Sequence, residues 1–293
     1  MPGAPAFAFI ELMVVVAIIM LLTAMLLPTL NGARQQAASI QCLHNLKELA
    51  QAWNMYVTDN HGVFPYNTEG GTVGWIAGGE MNYSGSSDDT NLMDLTGGPG
   101  HTSLLGPYTS KQPFIFKCPS DQSRSFGKSG SPRIRTYSMS AALGAGANGA
   151  TSGQGAWLPA PPWLCFFKES DLRRPAPSML WLFQEEDPDS INDEVFQFAM
   201  PTGAGGVDTA WIDSPSKLHG NSGRFAFVDG HSEAHEWRDP RGIPNVTYSS
   251  SSGMPGDPGS YPRRTVIGNA DVWWVAARTS ALASGAKNDF PSE

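Results

Sequence analysis

The chain has 293 residues, with 19 lysines and arginines against 27 aspartates and glutamates, so its formal net charge is −8. This acidic balance argues against a nucleic-acid-binding protein, which normally presents a basic patch. Aromatic residues make up 10% of the chain, which is too large a share for a disordered protein.

The first predicted element is a long apolar helix. Between Met1 and Gly32 the only ionisable side chain is Glu11, and residues 12–30 read LMVVVAIIMLLTAMLLPTL. As a helix this run spans about 29 Å, roughly the thickness of a bilayer core. The alternatives are a helix buried in a soluble core and a secretory signal peptide. A signal peptide has a shorter apolar run preceded by basic residues, and none precede this one.

The helical pattern continues beyond the apolar run. Apolar or small residues recur at steps of three and four, which places them on one helix face: Ala33, Ala37, Ile40, Leu43, Leu46, Ala50, Trp53 and Val57. We therefore predict one helix over about residues 7–57, membrane-spanning over about 7–30 and amphipathic after that. Asp59-Asn60-His61-Gly62 should end it, and Pro28 should loosen it.

Glu11 is a carboxylate within an apolar span, which is costly unless a cation meets it. If the chain were cut before Phe7, the new α-amino group could neutralise Glu11 of a neighbouring copy. The alternative is that Glu11 lies at the lipid head-group boundary.

The segment Phe7-Ala8-Phe9-Ile10-Glu11-Leu12, followed by the apolar run, resembles the processing site of type IV prepilins and type II secretion pseudopilins. The resemblance implies that residues 1–6 are a leader, that prepilin peptidase cuts between Ala6 and Phe7, and that Phe7 becomes N-methylated. It also implies a role for Glu11 in assembly. Two departures are Ala6 in place of the usual glycine and a leader without basic residues.

Four further stretches resemble a bacterial subgroup of these proteins, and they cover much of the chain. They are IQCLHNLKELAQAWNMYVTDNHGVFP (40–65), FKCPSD (116–121), RTYSMS (135–140) and EEDPDSIND (185–193). The subgroup's H-x9-D-G signature is matched by His219, Asp229 and Gly230.

The resemblance implies a filament subunit that starts as a single-pass protein of the inner (cytoplasmic) membrane, with its C-terminal domain in the periplasm. Its implied partners are membrane lipid, prepilin peptidase, the secretion or pilus assembly machinery, and other copies bound through their N-terminal helices. The assembled filament would be extracellular, and no nucleic acid is expected.

The predicted fold class is α+β, with the long helix packed on a mostly antiparallel, pilin-like sheet domain with long loops over residues 58–293. Short strands are predicted at 114–117, 134–138, 179–184 and 195–199. A hairpin is predicted from Arg224–Val228 and Ser232–Trp237 about Asp229-Gly230, whose two turn positions should both have positive φ. We predict a low-complexity loop at 144–162 and favour a helix at 271–278.

The cysteines allow two interpretations. A disulfide between Cys42 and Cys118 would close a loop of about 77 residues and contribute roughly 4 kcal/mol on a chain-entropy argument. Cys165 would then be left over. The alternative is three reduced, buried thiols.

The acidic run 185–193 is a candidate Ca²⁺ site, because its oxygen donors suit that ion. The candidate ligands are Glu186, Asp187, Asp189, Asn192 and Asp193. The alternative is an acidic turn that caps its own backbone. Ca²⁺ is the one cofactor that the sequence suggests.

The histidines near the predicted hairpin form the last candidate site. The favoured role is structural, with His219 bonding the Asp229 turn or a nearby carbonyl. A metal site or a catalytic site that also uses His231 and His235 is the alternative.

A structural filament subunit, rather than an enzyme, is thus the leading functional hypothesis. A membrane-anchored periplasmic module that binds carbohydrate or peptide is the alternative, followed by a tethered hydrolase.

Overall fold

The computed structural model describes residues 9–68, 70–78, 81–144, 163–201, 209–240, 242–249, 264–265 and 268–285. Ala6, Phe7 and most of the predicted loop at 144–162 lie outside these ranges. The helices are α1 (Phe9–Asp59), α2 (Met93–Thr96) and α3 (Ala270–Thr279). Short 3-10 helices occur at Ser87–Asp89, Gly106–Thr109, Pro113–Phe116, Glu169–Asp171 and Pro177–Met179. The strands are β1 (Val73–Gly74), β2 (Thr102–Ser103), β3 (Arg124–Phe126), β4 (Ser129–Pro132), β5 (Tyr137–Ser140), β6 (Trp181–Glu185), β7 (Val195–Phe196), β8 (Phe198–Ala199), β9 (Ala210–Trp211), β10 (Ser222–Phe227), β11 (Ser232–Glu236) and β12 (Arg264–Thr265).

The predicted long helix is confirmed as α1, which runs without a break from Phe9 to Asp59. It ends as the sequence predicts, because His61 and Gly62 adopt positive φ values of 57° and 81°. The Gly62 amide donates to the Val57 carbonyl at 2.8 Å, which satisfies one of the last helical carbonyls.

The two halves of α1 lie in different surroundings. From Phe9 to Leu30 its large apolar side chains are 40–75% exposed wherever the structure describes them. By length and composition α1 could cross a membrane, and none of its most apolar stretch is buried. The soluble-core alternative is therefore wrong for this segment.

Burial on α1 begins at Cys42. The buried residues are Cys42, Asn45, Leu46, Leu49, Ala50, Ala52, Trp53 and Val57. Ala33, Ala37 and Ile40 are exposed, so the predicted buried face starts later than expected. The reason is that the domain contacts α1 only from about Ser39 onward. The contacts are chiefly with β10 and with the 3-10 helices Gly106–Thr109 and Pro113–Phe116, with smaller contributions from β11 and β6.

The central sheet has five strands in the order β11-β10-β6-β5-β7. All neighbours are antiparallel except β5 and β7, which are parallel. This agrees with the predicted α+β class and mostly antiparallel sheet. The predicted strands at 134–138 and 179–184 correspond to β5 and β6, each displaced toward the C-terminus.

Two strand predictions need correction. Residues 114–117 form no strand, because Pro113 presets the backbone for the 3-10 helix Pro113–Phe116. Residues 195–199 divide into β7 and β8, which belong to different sheets.

The predicted hairpin is confirmed as β10 and β11, which pair from Ser222↔Glu236 to Ala226↔Ser232. Its turn differs from the prediction, since Gly230 has a positive φ of 92° whereas Asp229 does not. The Gly230 amide donates to the Phe227 carbonyl, and the Phe227 amide donates to the His231 carbonyl, both at 2.9 Å. This is a three-residue loop that ends on a left-handed glycine.

The predicted C-terminal helix is confirmed as α3. The Asn269 side chain caps it by accepting from the amides of Asp271 and Val272 at 2.9 and 3.1 Å. Trp274 packs edge-on against Phe225 of β10, with ring centroids 5.1 Å apart. The helix therefore closes an aromatic core built around β10.

Candidate functional site

The side chains of the acidic run predicted to hold Ca²⁺ form separate hydrogen bonds with different partners. Glu186 accepts from the hydroxyls of Ser138 and Ser190 at 2.5 and 2.9 Å. Asp187 accepts from the Asp189 amide at 2.8 Å, and Asp193 accepts from the Val195 amide at 2.8 Å. The bonds of Asp187 and Asp193 correspond to the alternative interpretation, an acidic turn that caps its own backbone, whereas Glu186 bonds to serine side chains.

The two remaining predicted ligands, Asp189 and Asn192, also accept hydrogen bonds from other parts of the chain. Asp189 accepts from the Tyr83 hydroxyl at 2.9 Å and from the Thr247 amide at 2.6 Å. The backbone carbonyl of Asn192 accepts from the Met81 amide at 2.5 Å. Among the described residues, no three of the predicted carboxylates bring ligand atoms together.

Two buried arginines supply the positive charge in this region. Arg133 donates to the carbonyls of Pro188 and Ile191 at 2.8 and 2.9 Å, and Arg135 donates to the Asp193 carbonyl at 2.8 Å. Guanidinium groups therefore already bind three backbone carbonyl oxygens of the acidic run. The sequence analysis missed this role of the two arginines.

Burial also changes the charge of these carboxyl groups. It raises the pKa of Glu186 to about 8 and that of Asp187 to about 7. Burial therefore opposes ionisation of these two groups, and a hard cation prefers ionised carboxylates. Among the described residues, the predicted Ca²⁺ ligands are thus engaged in separate hydrogen bonds and do not converge on one point.

The histidines near the hairpin do not form one group. His231 Nδ1 lies 2.6 Å from Asp229, and His235 Nε2 lies 2.9 Å from Asp271. The predicted bond between His219 and the Asp229 turn is therefore wrong: Asp229 is bound by His231, and the side chain of His219 lies against other groups.

One group of potential metal ligands does converge among the described residues, and we call it the dithiol cluster. It consists of Cys42, Cys118, Glu185 and His219, whose ligand atoms all lie within 4.8 Å of one another. Cys42 lies on α1, Cys118 follows a 3-10 helix, Glu185 ends β6, and His219 precedes β10.

The dithiol cluster is compact and shielded from solvent. Cys118 Sγ lies 3.1 Å from His219 Nε2, which lies 3.3 Å from Glu185 Oε1. Cys42 Sγ lies 3.6 Å from the same Glu185 oxygen. Both cysteines are fully buried, and the side chains of His219 and Glu185 are 2% and 0% exposed.

Cys42 and Cys118 lie close together, as the predicted disulfide requires, but their sulfur atoms are not covalently bonded. Both are free thiols in the structure, so the predicted disulfide is not formed there. Instead, each sulfur atom makes a contact with a polar side chain of the cluster.

Further polar groups surround the dithiol cluster. The Tyr137 hydroxyl donates to Cys42 Sγ at 3.2 Å, and the Ser120 amide donates to Cys118 Sγ at 3.4 Å. The Ser120 hydroxyl lies 3.4 Å from the other ring nitrogen of His219, Nδ1. Glu185 Oε2 is buried and has no hydrogen-bond partner among the described residues.

The electrostatics follow from burial and close contact. Burial raises the pKa of both thiols. Burial lowers the pKa of His219, but its contacts with Cys118 and Glu185 outweigh this and raise the pKa to about 9. These contacts therefore favour the protonated, positively charged form of His219 beside the buried Glu185 side chain.

The sequence analysis singled out three of these four residues and paired the two cysteines, but it did not place them in one site with His219 and Glu185. Each lies in a different one of the stretches quoted above, so sequence spacing gave no signal that they meet. Comparisons with models of protein families, with curated proteins and with solved structures found no match to this chain.

Proposed function

We propose that this chain is a structural subunit of the type IV pilin or pseudopilin kind, which is anchored in the cytoplasmic membrane and then assembles into a helical filament. The observation that carries the proposal is the exposed apolar half of α1, which continues into a half that is docked on a folded domain. The role is structural rather than catalytic.

The exposed half of α1 must be covered by something apolar. Soluble monomers rarely expose contiguous apolar patches larger than a few hundred Å², and here the large apolar side chains are exposed from Phe9 to Leu30. Lipid tails can cover this surface before assembly, and helices of neighbouring subunits can cover it in the filament.

Glu11 sets the register of the bundle in this proposal. It is the only ionisable residue before Arg34, and a charge in an apolar bundle needs a counter-charge. Cleavage before Phe7 would supply an α-amino group that meets Glu11 of the adjacent copy. The acidic sheet domain would then decorate the filament surface outside the membrane, for secretion or adhesion.

N-terminal sequencing and intact mass after co-expression with a prepilin peptidase test the processing step. We expect a mature chain that begins at Phe7 and carries one N-methyl group. A mature chain that begins at Met1, or beyond Gly32, would contradict the proposal.

Glu11→Ala tests assembly, because the variant lacks the charge that sets the register. We expect at least a tenfold loss of sedimentable filaments, with membrane insertion unchanged. Glu48→Ala is the matched control, since Glu48 is a half-exposed carboxylate in the docked half of the same helix. Equal filament yield from Glu11→Ala and the wild type would contradict the proposal and favour the alternative function, a membrane-anchored binding module.

A further inference from the structure

We propose that the dithiol cluster is a structural Zn²⁺ site that fastens α1 to the sheet domain. The ligands are Cys42 Sγ, Cys118 Sγ, His219 Nε2 and Glu185 Oε1. This inference is independent of filament assembly, because it concerns only the interior of the folded domain.

Three of the six distances between the donor atoms lie close to those of tetrahedral coordination. Zinc binds sulfur at about 2.3 Å and nitrogen or oxygen at about 2.0–2.2 Å, so the edges of its tetrahedron are about 3.3–3.8 Å. Three edges of the cluster measure 3.1, 3.3 and 3.6 Å. The other three edges are at most 4.8 Å, so an ion at the centre would require side-chain shifts of up to about 1 Å.

The donor set selects the metal. Two thiolates with an imidazole and a carboxylate suit Zn²⁺, whereas Ca²⁺ and Mg²⁺ prefer oxygen ligands alone. All four ligands come from the protein and all are buried, which is the pattern of a closed structural site rather than of a catalytic one.

The surroundings support metal ligation. The Tyr137 hydroxyl and the Ser120 amide each donate to one sulfur atom, and both bonds would stabilise thiolates. Ser120 also lies beside Nδ1 of His219, where it can orient the ring so that Nε2 faces the ion. The unpartnered Oε2 of Glu185 is nine-tenths or more buried, and Zn²⁺ would compensate that buried carboxylate.

Charge and protons balance on binding. Ligation would require Cys42 and Cys118 as thiolates and His219 with Nε2 unprotonated, so binding would release the protons that these groups carry. The loaded site carries two thiolates and one carboxylate against the two charges of Zn²⁺, which leaves one net negative charge. The buried Arg224 guanidinium favours the thiolate of Cys42 and would partly offset this charge.

The position of the site gives it a mechanical role. Cys42 is the first fully buried residue of α1 after its exposed half, so the ion would hold the helix where it leaves the domain. The other three ligands belong to the domain itself. Zinc at this point would tie the start of the docked part of α1 to the sheet domain.

The test uses the full chain in detergent, purified under reduction and titrated with Zn²⁺ alone. We expect one Zn²⁺ per chain by elemental analysis and a higher melting temperature with Zn²⁺ than with a chelator. Co²⁺ in place of Zn²⁺ should give the intense tetrahedral bands and the thiolate charge-transfer absorption of sulfur ligation.

Variants separate ligation from folding. Cys118→Ser and Glu185→Gln should each lower Zn²⁺ affinity by at least tenfold, and Tyr137→Phe by roughly tenfold. Cys165→Ser is the matched control, because Cys165 lies outside the cluster, and it should bind like the wild type. The Co²⁺ spectrum of the wild type identifies the ligands even if a variant fails to fold.

Three results would overturn the proposal. One is a wild-type chain without stoichiometric zinc, and another is a Cys118→Ser variant that binds as tightly as Cys165→Ser. The third is a Cys42–Cys118 disulfide in the non-reduced protein isolated from its native compartment, because an oxidised pair cannot supply two thiolates.

Discussion

At the scale of single residues, the main feature is the number of ionisable groups placed inside the domain. Arg133 and Asp89 form a buried ion pair at 3.1 Å, with side chains 1% and 0% exposed. Glu194 is equally buried, and one of its oxygens accepts from the Gly70 amide at 2.8 Å. Such buried groups are tolerated because arginine side chains form ion pairs with them and backbone amides donate hydrogen bonds to them.

Glu194 should make stability depend on pH. Burial raises its pKa from the ordinary value of 4.5 to about 8, with Arg135 opposing the rise. The folded state therefore binds a proton that the unfolded state has released, and stability falls as pH rises from about 4.5 to about 8.

We expect Glu194→Gln to flatten that fall, because glutamine resembles the protonated acid and stays neutral. The effect should be on the order of a few kcal/mol between pH 5 and pH 8, measured as the free energy of unfolding of the full chain. Glu236→Gln, an exposed carboxylate on β11, should keep the wild-type slope. If Glu194→Gln also keeps it, Glu194 ionises normally in the fold.

At the scale of elements, α1 depends on a short docked segment rather than on its length. Its buried residues lie between Cys42 and Val57, and Trp53 is the largest of them at 1% exposed. The Trp53 ring packs on Phe64 with centroids 4.6 Å apart. A helix of 51 residues is thus anchored by about four turns.

Trp53→Ala should therefore weaken docking strongly. Removing a large buried aromatic side chain costs about 3–5 kcal/mol, because the cavity cannot collapse fully. We expect this loss in the free energy of unfolding, together with faster amide exchange in the docked half of α1. Met55→Ala is the control on the same helix, as Met55 is 54% exposed. A loss of similar size in both variants would show that position 53 is not a docking point.

At the scale of the whole molecule, the chain combines a folded domain with an apolar helical extension. The domain's contacts with α1 begin near Ser39, whose hydroxyl accepts from Arg224 at 2.6 Å. The preceding described residues of α1 are exposed up to Ala37 wherever their burial is described. The core therefore does not depend on the first part of the helix.

A chain that lacks residues 1–37 should fold and stay soluble without detergent, because it loses the exposed apolar surface and keeps the docked segment. We expect a monomer by analytical ultracentrifugation, with the near-ultraviolet circular dichroism of the full chain in detergent. Aggregation, or loss of the near-ultraviolet signal, would mean that the extension contributes to the core.

The sequence determined the features that depend on local pattern. Periodicity and the Asp59–Gly62 stop predicted α1, Asp229-Gly230 predicted the β10–β11 hairpin, and the adjacent tryptophans favoured α3. These succeed because helix, turn and cap preferences act over a few residues. The strand predicted at 114–117 failed because it relied on side-chain type and overlooked the effect of Pro113 on the backbone.

Only the tertiary structure decided where the charged groups meet. It placed the Arg133 and Arg135 side chains against backbone carbonyls of the acidic run. It also brought the four residues of the dithiol cluster together from four separate segments. Such convergence depends on how α1 docks against β6 and β10, and local sequence preferences carry no information about contacts over those separations. The burial that sets the charge state of these groups likewise exists only once the chain has folded.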